Sequence, residues 1–176
     1  PTYVRDDEMG NEYRCFVLDT SEVEGKYITE VGTKVLSTKQ MHHITLSFVD
    51  KEDIADASYF GPQGWDCIDS GNSGFPSDRI FAGFAPGSVP MTLPEVTGFL
   101  LEDDQYIVMA MHYVWSPDAD GEADQTEIQF KVQDAVDTRL YMITLGVEGF
   151  EIPPDTVGHT DSQELPMAVL PFPSLT

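Results

Sequence analysis

Short segments rich in Val, Ile, Thr, Phe and Tyr, separated by clusters of Gly, Pro and Asp, run through most of the chain. β-branched and aromatic residues suit a pleated, half-buried surface, so these segments read as strands. They predict strands at residues 13–18, 27–35, 42–49, 80–85, 98–101, 106–115, 126–132 and 140–147, with a ninth at 168–170. Gly61-Pro62, Ala85-Pro86-Gly87, Leu93-Pro94, Ser116-Pro117 and Pro153-Pro154 punctuate them. Helical periodicity is nearly absent, and only residues 50–60 fit a single short turn of helix. About nine short strands at regular spacing predict an all-β fold, an antiparallel β-sandwich of the jelly-roll kind. There is no internal repeat. The tail at 155–176, with Pro166, Pro171 and Pro173, reads as a closing strand followed by a linker or the chain end.

Length and composition narrow this picture. The 176 residues fit one domain better than two, so 1–176 is expected to be a single domain. A hydrophobic fraction of 41%, with 11% aromatics, is enough to build a core. Nine basic residues against 31 acidic ones leave a formal charge of −22. That field repels a phosphate backbone or an anionic bilayer, which argues against nucleic acid as a partner, and it favours cations. A saline habitat would account for the same charge. No apolar run approaches the roughly 18–20 residues of a membrane span, so membrane insertion is not expected. The chain opens at Pro1 without a Met, as a processed or excised piece would. Cys15 and Cys67 are an even pair, and composition alone leaves a bridge and two buried thiols equally open.

The chemistry lies in the histidines. Only four are present, and two are adjacent, His42-His43, inside the apolar run Met41-His-His-Ile-Thr-Leu-Ser-Phe-Val. Successive side chains of a strand point to opposite faces, so both cannot face one core. Either one is a hydrogen-bonded core histidine and the other solvated, or the two wrap one metal from either side of the backbone. The second arrangement gives a near-linear pair, which Cu(I) tolerates and a third imidazole would make T-shaped; zinc would require a fourth ligand. His112, in the strand pattern Tyr106-Ile-Val-Met-Ala-Met-His-Tyr-Val-Trp, is the natural third ligand, although a lone strand histidine is more often structural. His159 sits in a polar loop and reads as solvated. Met41, Met109 and Met111 flank the histidines; thioethers suit Cu(I), but alternation places Met109 and Met111 opposite His112, so packing is the better assignment.

Taken in order, Asn11-Glu-Tyr-Arg-Cys-Phe-Val-Leu-Asp, Met41-His-His-Ile, Gly64-Trp-Asp-Cys, Phe81-Ala-Gly-Phe-Ala-Pro-Gly, Leu93-Pro-Glu-Val-Thr-Gly-Phe and Met111-His-Tyr resemble one family. It is the copper type II, ascorbate-dependent monooxygenases, which include the dopamine β-monooxygenase and peptidylglycine α-hydroxylating groups. The resemblance covers about residues 11–154 and ends with Leu140-Tyr-Met-Ile and Ile152-Pro-Pro. Each motif is weak alone; their joint order carries the likeness. It implies that His42, His43 and His112 bind the electron-transfer copper of the family's N-terminal domain. It also implies a Cys15–Cys67 disulfide, and with it an extracellular or periplasmic, secreted location. The family's O2-activating copper, held by two histidines and a methionine in a C-terminal domain, has no counterpart here, since no His-x-His pair follows His112.

Two further patterns carry less. Aligned as a calcium loop from Ser116, the acidic stretch places Asp118, Asp120, Gly121, Asp124 and Glu127 at ligand-like positions, but it starts with Ser and has strand-like flanks. An acidic solvated hairpin is the better reading. Asp103-Asp104 and Asp6-Asp7-Glu8 are adjacencies expected by chance in so acidic a chain. The expected function is therefore electron-transfer copper binding within an O2- and ascorbate-dependent monooxygenase, partnered by a second copper domain and a reductant such as ascorbate. The alternative is a stand-alone secreted copper store or carrier.

Overall fold

The computed structural model describes residues 2–5, 11–36, 39–54, 57–67, 79–119, 121–142, 151–160 and 162. The chain divides into two compact units, 1–143 and 144–176.

In the first unit the described strands are β1 (Tyr3–Val4), β2 (Asn11–Val17), β3 (Tyr27–Lys34), β4 (Met41–Asp50), β5 (Trp65–Asp66), β6 (Ile80–Phe84), β7 (Met91–Thr92), β8 (Thr97–Leu100), β9 (Gln105–Val114), β10 (Ala123–Asp124), β11 (Glu127–Gln133) and β12 (Thr138–Leu140). Eight expected strands overlap observed ones. The segment expected at 140–147 is a strand only at its start, in β12, and residues 143–147 lie outside the described residues. The strand expected at 168–170 also lies outside them. The helical turn expected within 50–60 is a 3-10 turn at Ala57–Phe60.

The fold is all-β. One five-stranded sheet runs β5-β2-β9-β4-β6, antiparallel throughout. The other runs β11-β3-β8-β12, with β7 also paired to β3. It departs from the all-antiparallel expectation at one place, where β12 runs parallel to β8. β1 and β10 make a two-stranded ribbon.

Alternation builds the sandwich. Ile44, Leu46 and Phe48 of β4 and Ile107, Met109, Met111 and Tyr113 of β9 are buried in one cluster with Ile28 and Val31 of β3 and Phe99 of β8. Phe81 of β6 joins the two layers, its ring 5.9 Å from Phe99 and stacked 4.1 Å from Phe48. Met41, Met109 and Met111 are buried in this cluster, as packing residues should be.

The outer face of the β5-β2-β9-β4-β6 sheet has its own smaller cluster. Cys15, Val108, Ala110 and Val49 meet Ile54, Tyr59, Trp65 and Cys67 from the segment that crosses over them. Cys15 and Cys67 are joined by a disulfide, with their Cα atoms 5.5 Å apart. Gly64 makes the closure possible: at φ +56° a Cβ there would stand 2.1 Å from the carbonyl oxygen of Cys15.

The acidic stretch after Ser116 lacks the helical flanks of a calcium loop, and its candidate ligand Asp120 lies outside the described residues. Its flanks are a 3-10 turn at Pro117–Ala119 and the strands β10 and β11. Asp124 is buried and takes hydrogen bonds from Tyr113 (2.9 Å) and from Thr126. Burial and that carboxylate push the Tyr113 phenol far above its ordinary pKa. Glu127 pairs with Lys34 and Glu122 with Lys39, so these acids face cations already.

In the second unit residues 151–160 are exposed, His159 among them. Among the described residues no helix is long and apolar enough to cross a membrane.

Candidate metal centre

The three adjacent strands β2, β9 and β4 align Tyr13 opposite His112 and His112 opposite His43. Cys15, Val108 and Ala110 mark the outer face of these strands, and Tyr13, His112 and His43 share its parity. A row of three rings therefore crosses the outer face at one end of the sheet.

His42 joins that row through a break in the ladder. Met41 pairs with Tyr113 and His43 with His112, so β4 advances two residues while β9 advances one. His42 is the extra residue of a β-bulge. Strict alternation would send its side chain to the face opposite His43; the bulge returns it to the same side. The expectation that the pair must straddle the backbone is corrected accordingly. Their Nδ1 atoms are 3.0 Å apart.

His43 is the centre of the group. Its Nδ1 lies 3.0 Å from that of His42 and 3.2 Å from that of His112. Among the described residues this is the group of three or more His, Cys, Asp or Glu whose ligand atoms converge, all lying within 4.8 Å of one another. Spacings near 3 Å are those of neighbouring ligands around one ion with bonds of about 2.0 Å, so the residues fit a metal. The site grades from water to core: His42 is exposed, His43 half-buried and His112 only 8% exposed.

Two residues outside the sequence-based ligand set hold His112. The Tyr13 ring stacks on it at 4.1 Å with an interplanar angle of 5°. Asn11 Oδ1 lies 3.0 Å from its Nε2. Alternation along β2 sets Tyr13 on the same face as Cys15, a signal the sequence analysis did not use, and the pairing partner that puts it against His112 is not readable from the sequence. For Asn11 the sequence carries no signal at all.

The electrostatics favour neutral imidazoles. Burial lowers the pKa of His43, and the neighbouring His42 adds to the effect. Burial also lowers that of His112, with smaller contributions from His43, His42 and Arg5. Neutral rings keep a lone pair for a metal. An all-imidazole set suits borderline transition metals, and three protein ligands leave a coordination position open. No family model matches the chain, and no curated protein matches it.

Proposed function

We propose that this chain is a copper-binding electron-transfer module of an O2- and ascorbate-dependent monooxygenase, and that His42, His43 and His112 hold its copper. The observation that carries the reading is the meeting of three imidazole nitrogens, those of His42 and His112 lying 3.0 and 3.2 Å from that of His43, at the positions the family motifs assign to copper ligands. Bound copper would supply a one-electron couple between Cu(I) and Cu(II). The protein's part is to hold three neutral donors, with His112 fixed beneath and His42 at the surface where a reductant such as ascorbate has access. Hydroxylating a C–H bond with O2 takes two electrons besides the substrate's own, so a second copper domain is a required partner. The disulfide suits an oxidising compartment, and we place the protein outside the cytoplasm.

A copper store or carrier is the second reading. It is favoured by the exposure of His42 and by the absence of a second such cluster among the described residues.

The deciding experiment loads the purified chain with one equivalent of Cu(II), adds ascorbate, and then O2 or a one-electron oxidant. A relay bleaches and regains its Cu(II) electron paramagnetic resonance signal over many cycles with the metal retained. A carrier loses copper on reduction or on adding a competing chelator. Failure to bind copper at all would reject both.

A further inference from the structure

The geometry points to Asn11 as a positioning residue that fixes His112 in its Nε2–H form and so turns Nδ1 toward the metal; this rests on the metal-site reading above. A neutral imidazole has one N–H and one lone pair, and either nitrogen can carry the proton. The amide oxygen of Asn11 only accepts hydrogen bonds, and it lies 3.0 Å from Nε2. The proton therefore sits on Nε2, and the lone pair sits on Nδ1, 3.2 Å from Nδ1 of His43. With the Asn11 oxygen turned to Nε2 as it is, the opposite form would set two lone pairs against each other or oblige the amide to turn over, and it would aim an N–H into the cluster, where it would block ligation.

Water could occupy the same place, since Asn11 is exposed. Water donates as readily as it accepts, however, and would leave both forms populated. A fixed acceptor selects one. β2 thus controls His112 twice over, two residues apart: Tyr13 sets the plane of the ring and Asn11 sets which nitrogen is free. Partners of this kind, which hydrogen-bond the far nitrogen of a ligand histidine, orient the ring and raise its basicity.

The test uses the metal-free chain first. Two-bond 1H–15N correlation of the imidazole rings, at a pH where all are neutral, distinguishes protonated from bare ring nitrogens. In the wild type His112 should show the proton on Nε2 alone. Asn11→Leu should give a mixture of the two forms and weaken Cu(II) binding 10–100-fold, measured by chelator competition. Asn11→Asp keeps an acceptor, so it should keep the Nε2–H form and copper binding at least as tight as wild type. A proton on Nδ1 in the wild type would overturn the inference. So would Asn11→Leu leaving both spectrum and affinity unchanged, or Leu and Asp variants weakening copper equally with the tautomer intact. A wild type that binds no copper would instead sink the metal-site reading, while the metal-free spectra still decide the role of Asn11.

Discussion

Tyr13 lies parallel to His112, ring on ring at 4.1 Å, while the other ring neighbours of His112 meet it edge-on. The stack covers one face of the imidazole and leaves its edge, with Nδ1, toward His43. Removing the ring frees the imidazole to rotate. Tyr13→Leu should weaken Cu(II) binding about tenfold, in the range for a lost supporting residue, while Tyr13→Phe should stay close to wild type. Isothermal titration of the three proteins checks this, and a Phe variant as weak as Leu would assign the effect to the hydroxyl instead.

His112→Ala should abolish tight binding at one Cu(II) per chain, because it removes the buried member of the triad. His159→Ala should change nothing, since His159 is exposed in residues 151–160. Equal loss in both would remove His112 from the site.

The disulfide closes a loop with a sequence separation of 52. Loop-closure entropy assigns about 4 kcal/mol to such a cross-link. The double variant Cys15→Ser, Cys67→Ser should lose stability of that order in urea unfolding. A loss under about 1 kcal/mol would mean that the crossing segment is held by its apolar contacts alone.

Protons should weaken the metal-free fold through the histidines. His43 and His112 titrate below the ordinary 6.5, so the native state disfavours their charged forms. The unfolded chain then binds more protons as pH falls below 6.5, and the stability these groups contribute above that value is lost on the way down. Thermal unfolding at stepped pH should show this decline in the wild type, and it should be shallower in His43→Gln, His112→Gln. Carboxylates titrate lower, near pH 4. Parallel curves would refute the assignment.

Val96 has φ +60°, a left-handed conformation costly for a β-branched residue, and its side chain is 55% exposed. Its carbonyl accepts the N–H groups of Asp137 and Thr138, which ties the start of β8 to β12. Val96→Asn, which tolerates this conformation, should stabilise the chain by about 1 kcal/mol in urea unfolding. A destabilised variant would show that the valine side chain is packed.

The strands were legible because inward and outward positions differ in type: Ile44, Leu46 and Phe48 face the core, while Thr45 and Ser47 alternate with them along β4. The two-residue strands β1, β5, β7 and β10 were missed, since two residues cannot show a period. The direction of β12 was missed as well, because parallel pairing is set by where the chain returns. His42, His43 and His112 were singled out as a set, but how they meet was not. Alternation, which located β4, gives the wrong face for His42. Nothing in Met41-His-His-Ile announces that the ladder skips there, because the skip belongs to the pairing of β4 with β9.

That skip makes the centre depend on chain length as well as on residue identity. Deleting His42 would remove a donor, yet it would also let Met41 and His43 become consecutive partners of Tyr113 and His112, giving a more regular ladder. Inserting one residue elsewhere in the strand would move the irregularity and could carry a histidine beneath the sheet without altering a single ligand. Among related chains, then, His-His in a strand is a poor guide to a shared site unless the count of residues between that pair and the next paired position is also kept.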